Sequence, residues 1–245
     1  MTSLELIGVE DLPEVRPGDD LGELIAARSE LRSSDIVVIA QKVVSKSEGR
    51  FVDLANVVAG EEARAMATRL VAEPDPRIVQ VILDESARVL RSDRVLITET
   101  RHGFVCANGG VDHSNVPGDD QVTLLPVDPD SSASKIQARL RERSGADVGV
   151  IISDTFGRPW RLGIVNVALG VAGVPALMDL RGGLDDVGRP LQATVLAVAD
   201  DIAAAAGLVM GKTRRIPAVI VRGLAMRGEG RGRELIRPES EDLFR

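Results

Sequence analysis

Seven short aliphatic runs, each five to seven residues long, constrain this chain more than any other feature. They are "LELIG" (4–8), "DIVVIA" (35–40), "RVLITET" (94–100), "GFVCAN" (103–108), "QVTLLPV" (121–127), "DVGVIIS" (147–153) and "PAVIVRG" (217–223). Runs of this length rich in Val and Ile read as strands, because branched side chains suit a pleated surface and so few residues make a poor helix. Helical spacing appears instead in "EEARAMATRLVAE" (61–73), "PRIVQVILDESARVL" (76–90), "SASKIQARLRERSG" (132–145) and "QATVLAVADDIAAAAGLVMG" (192–211). The last sets Val195, Val198, Ala199, Ile202, Ala203 and Ala206 on one stripe, and Gly211 is placed to end it. Strands outnumber helices and do not alternate strictly with them. An α+β protein with mixed sheets and packed helices is therefore expected, not a doubly wound sheet.

The length of 245 residues permits one large domain or two intimately joined lobes, and no linker or repeat divides it. "NVPGDD" (115–120) reads as a turn, not a boundary. With 2% aromatic residues and no tyrosine, the core must be aliphatic, and platforms for stacking bases are nearly absent. A net charge of −7 argues further against nucleic-acid or membrane-surface partners. Cys106 is the single cysteine, and the two histidines, His102 and His113, are too few for a histidine-rich metal site. The first residues lack the basic and apolar segments of a signal peptide, and no apolar run reaches the roughly 20 residues of a membrane span. A soluble cytoplasmic protein is expected.

Chemistry concentrates in a few stretches. In "VIISDTFGRPWRLG" (150–163), a buried strand ends in Ser153, Asp154 and Thr155, followed by Arg158 and Arg161 around the only tryptophan, Trp160. An anionic and a neutral oxygen side by side suit a hard cation such as Mg²⁺ or Mn²⁺, and guanidiniums clamp phosphate or carboxylate oxygens. The alternative is a capped turn with surface ion pairs. In "ANGGVDHSN" (107–115), two glycines allow a tight turn that exposes Asp112, Ser114 and Asn115; an ordinary hairpin has the same composition. In "QKVVSKSEGR" (41–50), Lys42 and Lys46 could neutralise phosphates beside Gln41 and Ser45, or form a solvated basic turn. "GLVMGKT" (207–213) imitates a phosphate-binding loop but is one residue short and follows a helix, so it presents carbonyls, not amides. "GEGRGR" (228–233) lacks a strand-turn-helix frame and reads as a mobile loop.

Taken in order along the chain, these stretches resemble one family. "LPEVRPGDDL" (12–21), "KVVSKSEGR" (42–50), "GGVDHSN" (109–115), "LPVDPDSSA" (125–133), "SDTFGRPWRLG" (153–163), "ADDIAAAAGLVMGK" (199–212) and "IRPESEDLFR" (236–245) together resemble the coenzyme F420-0:L-glutamate ligase family over essentially the whole chain. The resemblance implies a family-specific α+β fold, residues 1–245 acting as a single ligase domain, and an intertwined homodimer. It implies that L-glutamate is attached to the lactyl carboxylate of a phosphodiester-linked deazaflavin, with GTP consumed to GDP and phosphate. Two Mg²⁺ or Mn²⁺ ions per site are implied, with K⁺ as a further candidate cation. Asp112 and Asp154 then resemble the carboxylates of one metal site and Thr155 a ligand of the second. Leu12, Pro13, Glu14 and Val15, with Gln41, Lys46 and Asn115, resemble nucleotide contacts, as does the segment from Met210 through Gly211 and Lys212 to Pro217. Some members carry Gln or Glu where this chain has Lys212; an ammonium cannot coordinate a cation, so a metal ligand is missing or Lys212 supplies charge in its place. The flavin-reductase-like C-terminal domain of some members is not expected after "DLFR".

That chemistry agrees with the residue types. A carboxylate is a poor acyl donor until phosphorylation gives it phosphate as a leaving group. Phosphoryl transfer demands charge neutralisation and in-line positioning, which two metal ions about 3.5–4 Å apart supply. Lys46, with Arg158 and Arg161 as catalytic candidates, would take the remaining charge. A metal-dependent nucleotide phosphohydrolase and a non-catalytic GTP-binding regulator are the rival classes, separated from a ligase by glutamate-independent phosphate release and by binding without turnover.

Overall fold

The structure, a computed structural model, describes residues 3–113 and 120–242. In chain order the regular elements are β1 (Glu5–Gly8), α1 (Leu21–Ala26), β2 (Ile36–Ala40), α2 (Gln41–Ser47), β3 (Phe51–Asp53), α3 (Glu61–Ala67), α4 (Pro76–Glu85), β4 (Ser86–Arg91), β5 (Ile97–Thr100), β6 (Val105–Ala107), β7 (Gln121–Thr123), α5 (Pro129–Ser144), β8 (Gly149–Arg158), β9 (Arg161–Ala172), β10 (Met178–Asp179), β11 (Val195–Leu196), α6 (Val198–Met210) and β12 (Ala218–Arg222). This is a mixed α+β architecture with several sheets, as the alternation of runs predicts.

The principal sheet has the order β1-β12-β2-β8-β9. β2 and β8 run parallel, with Ala40 opposite Ser153, and the other neighbours are antiparallel. Each face of this sheet is sealed by helices. Val37, Ile39, Val150, Ile152 and Ile220 pack under α1 and α5, while Ile36, Val38, Ile151, Val219 and Val221 meet α6. Each such side chain, fully withdrawn from water, contributes roughly 1.5–3 kcal/mol. α5 starts on Asp128, whose carboxylate accepts from the Ser131 amide, with Pro129 in its first turn, and it stops on Gly145 at φ 71°.

A second apolar cluster joins Leu54, Ala63, Val79, Ile82, Leu96 and Val122, drawn from α3, α4 and the small sheets around them. Arg50 ties the two regions, donating to the Leu125 carbonyl at 2.9 Å and to Glu85 at 3.0 Å.

Several expectations need correction. The segment 76–90 is not one helix: α4 ends at Glu85, and β4 continues through Arg91 in antiparallel pairing with β5. The next residues, "SARVLR", alternate in a way that suits a strand edge. The basic stretch 41–50 is a helix, α2, not a turn. β8 does not end at Ser153. It runs on to Arg158 and turns back into β9 as a long hairpin whose tip projects beyond the sheet. Among the described residues no helix is long and apolar enough to cross a membrane.

Candidate functional site

The parallel pair β2 and β8 places two chain segments at one sheet end. β2 passes directly into α2, so Lys42 and Lys46, four residues apart, share a face of that helix. β8 leaves the sheet there with Asp154 and Thr155. From the other region comes the turn Asn108–Gly110, where Asn108, Gly109 and Gly110 have φ of 54°, 60° and 70°. Gly110 has no room for a side chain, because a Cβ would lie 2.6 Å from Leu125. The turn delivers Asp112, whose amide and carbonyl pair with Thr123 at 3.0 and 2.8 Å.

At this junction Lys42 Nζ lies 2.6 Å from Asp112 Oδ2. Lys212, just past the end of α6, donates to Thr155 Oγ1 at 2.7 Å. Asp154 accepts from the Thr155 amide at 2.7 Å. Burial pushes the Asp154 carboxyl above its ordinary range, and the negative charge of Asp112 adds to this; the Thr155 amide, Lys212 and Lys42 pull the other way. The mutual influence makes Asp112, Asp154, Lys42 and Lys212 one electrostatic cluster. Strand alternation, however, turns Asp154 and Thr155 to opposite sides of the hairpin. Asp154 faces the turn that carries Asp112, while Thr155 sits opposite Asn166 and meets Lys212.

The other expected residues extend this cluster in one direction. Lys46, buried on α2, is ion-paired with Glu14 and so ties the segment Leu12, Pro13, Glu14 and Val15 to the helix. Gln41 donates to Ser45 at 2.5 Å and to the Leu124 carbonyl at 3.3 Å. Met210 is buried at the end of α6, and Gly211 caps that helix at φ 55°. The Asn166 amide donates to Ser153 at 3.3 Å and contacts Met210 Sδ at 3.7 Å. Asn115 and the "NVPGDD" turn, up to Asp119, lie outside the described residues, as does the end of "DLFR".

Arg158 and Arg161 are a correction. They sit opposite each other at the hairpin tip, and Arg158 donates to the Leu162 carbonyl at 2.6 Å. Four residues of strand, roughly 13 Å, separate Arg158 from Asp154, so neither guanidinium reaches the cluster of its own chain. Lys42 is the reverse case. It makes the closest contact with Asp112, and the signal for it was the Lys42–Lys46 spacing, which acquires meaning once 41–47 is helical. Cys106 was also missed as a neighbour: burial, reinforced by the Asp154 charge, pushes its thiol up to about 12.

The oxygens of Asp112, Asp154 and Thr155 are hard donors, and two of the three groups already hold an ammonium. That donor chemistry fits a hard divalent cation between the two carboxylates. Among the described residues no group of three or more His, Cys, Asp or Glu side chains could hold a metal ion, so protein carboxylates alone do not complete a coordination shell.

The arrangement defines an α+β protein with a half-buried carboxylate pair ringed by lysines, suited to gathering anionic ligands around a cation. Comparison with known proteins is more specific. The family described as F420-0:Gamma-glutamyl ligase matches residues 10–223. The Coenzyme F420:L-glutamate ligase of Methanopyrus kandleri is 47% identical over 255 residues, covering 100% of both chains. The protein of the same name from Methanothermobacter thermautotrophicus is 46% identical over 252 residues, covering 99% of each. That of Methanocaldococcus jannaschii is 45% identical over 247 residues, covering 99% of this chain and 97% of its own. The chain belongs to the F420-0:gamma-glutamyl ligase family.

Proposed function

We propose that this protein joins the amine of L-glutamate to a carboxylate of coenzyme F420-0, spending GTP through an acyl-phosphate intermediate. Membership of the family across nearly the whole chain carries the reading. The lysine-ringed carboxylate pair supports its phosphate chemistry. We take residues 1–245 as one ligase domain with two apolar lobes, the site lying where they meet.

In this reading the nucleotide lies along Leu12–Val15, Gln41, Lys46 and Met210–Lys212. Lys46 holds Glu14 in place and keeps a positive charge on the same helical face as Lys42. Lys42 and Lys212 exchange their present partners, Asp112 and Thr155, for phosphate oxygens as the nucleotide arrives. Asp112 and Asp154 would hold one Mg²⁺ or Mn²⁺, and Thr155 would serve a second once Lys212 has turned away; such ions supply charge neutralisation for the phosphates. The substrate carboxylate oxygen attacks the γ-phosphorus and GDP leaves. The glutamate nitrogen then attacks the acyl carbon, and the C–O bond to phosphate breaks as the nitrogen gives up a proton. The three lysines offset charge through both displacements, in the manner expected of a preorganised electrostatic site.

The homodimer is part of the proposal. Trp160 is 78% exposed and Leu162 97% exposed at the tip of the β8–β9 arm, with Ile164 beside them. Apolar side chains grouped on a projecting arm favour an interface with another protein surface. In the proposed dimer this arm is the element that carries Arg158 and Arg161 to a second chain.

The test supplies GTP, Mn²⁺, L-glutamate and F420-0 to the purified protein and follows the deazaflavin by mass spectrometry. A glutamyl adduct, formed with matching release of GDP and phosphate, is expected. Phosphate release at the same rate without glutamate would overturn the reading in favour of a phosphohydrolase.

A further inference from the structure

A cleft of about 610 Å³ opens on the α5 side of the principal sheet, away from the proposed nucleotide contacts. Its walls include His102 and Phe104, the first turns of α5, the end of β9, and the glycine-rich loop 228–233. That loop is held, contrary to the sequence expectation of a mobile one. A Cβ on Gly230 would lie 2.1 Å from the Ala176 nitrogen, and one on Gly232 would lie 2.1 Å from the Leu169 carbonyl oxygen. The Gly230 amide donates to the Val174 carbonyl at 3.0 Å. Asp130 Oδ1 accepts from Gly232 at 2.6 Å and from Val171 at 2.9 Å, joining loop, helix and strand. Glycine here permits close backbone approach, and its consequence is a fixed platform for Arg231 and Arg233 at the rim of the cleft.

Charge and shape indicate what the cleft takes. Of its carboxylates, Asp128 and Asp130 are spent on backbone amides, and Glu229 stands exposed at the edge. Arg231 and Arg233 are exposed, and among the described residues no ion pair is recorded for either. Two such guanidiniums on a rigid loop suit a phosphate or carboxylate group. On the opposite wall His102 stacks on Phe104, with ring centroids 5.8 Å apart. His102 Nε2 lies 2.9 Å from the Pro126 carbonyl and 3.1 Å from that of Val127, which places a proton on this nitrogen. Nδ1 is then left buried and without a hydrogen-bond partner. An aromatic wall, an unmet ring nitrogen and an anion-binding rim in a cleft of this size describe a site for an organic anion with a ring system.

The cleft also communicates with the carboxylate cluster. Phe156 contacts Phe104 edge-on at 6.5 Å and lies two residues from Asp154 on the same face of β8. The path from cleft to cluster is thus on the order of 13 Å. A free amino acid is too short to span it, whereas an acceptor whose carboxylate ends a flexible chain is not. We infer that this cleft seats the acceptor of the ligation, its phosphodiester on Arg231 and Arg233, its ring against His102 and Phe104, and its carboxylate end extended past Phe156 to Asp154. The inference rests on the ligase reading.

Isothermal titration of the full-length protein with F420-0, GTP and L-glutamate, each alone, tests it. The Arg231→Ala/Arg233→Ala variant should bind F420-0 about 10- to 100-fold more weakly, with GTP affinity and melting temperature unchanged. Ser134→Phe, at an exposed α5 position that lines the cleft, should weaken F420-0 binding by obstruction and likewise spare GTP. F420-0 affinity within two-fold of wild type in both variants overturns the assignment while leaving the ligase reading intact. So does a selective loss of GTP or glutamate binding in their place. Wild-type protein that binds GTP but not F420-0 overturns the ligase reading itself, and the cleft assignment with it.

Discussion

Replacing Asp154 by Asn separates a ligand-binding carboxylate from a structural one. In the ligand-free protein the Asp154 anion is unfavourable, because burial and the nearby Asp112 both oppose its charge. Asparagine removes that charge and retains an oxygen able to accept from the Thr155 amide, now at 2.7 Å. Without metal, Asp154→Asn should therefore melt at the wild-type temperature or slightly above. With Mn²⁺ at a hundred times its Kd, the wild type gains about 2.7 kcal/mol by linkage. For a chain of this length that corresponds to a rise of about 5–10 °C in Tm. The variant should lose most of this rise. Turnover should fall about 10²- to 10³-fold, roughly 3–4 kcal/mol of barrier, as for other single electrostatic stabilisers. Differential scanning calorimetry with and without Mn²⁺, and glutamate-dependent GDP release on the same preparation, measure both quantities. A variant that melts several degrees lower without metal, yet turns over within a few-fold of wild type at saturating Mn²⁺, would refute the reasoning and make Asp154 a structural brace.

Three further outcomes follow from the packing. Arg222 makes paired contacts of 2.9 and 2.8 Å with Asp35, whose side chain is 2% exposed; Arg222→Ala should cost about 3–5 kcal/mol in urea unfolding, because it strands a buried carboxylate. A loss below about 1 kcal/mol would mean that water reaches Asp35. Gly170→Ala should destabilise by about 1–3 kcal/mol, since a Cβ there would lie 2.2 Å from the Pro129 carbonyl oxygen at the start of α5; an unchanged Tm would show that this helix end yields. Cys106, buried and with its thiol raised to about 12, should resist iodoacetamide at pH 8 in the native protein and react in denaturant. Rapid native alkylation would show that the region around the carboxylate pair opens.

The strands of the principal sheet were legible because they are buried on both faces, so each appears as an unbroken aliphatic run; β2, with Ile36 to Ile39 fully buried, is the clearest case. The strands that escaped notice have no such run. β9 begins with exposed Arg161, Leu162 and Gly163 and becomes buried only toward Ala172, so half of its sequence looks like a loop. β4 escaped for another reason. Its residues continue the apolar spacing of α4, and its identity is decided by pairing with β5, a contact between segments that a local pattern does not encode.

The site was legible as composition and illegible as direction. Asp112 and Asp154, distant in sequence, were both singled out from carboxylates beside turns and strands, and the fold brings them together from separate lobes. What adjacency in sequence concealed is that neighbours on a strand face apart. Asp154 and Thr155 look like a matched pair of ligands in "SDTF", but the extended backbone directs one toward Asp112 and the other toward Lys212. The same geometry removes Arg158 and Arg161, which stay near Asp154 only if the chain turns at Ser153. Because β8 instead runs straight to Arg158, the guanidiniums are carried outward, and charge at the cluster falls to Lys42 and Lys212. Those lysines reach it from the ends of β2 and α6, so the positive side of the site is set by where the sheet stops, not by any local motif.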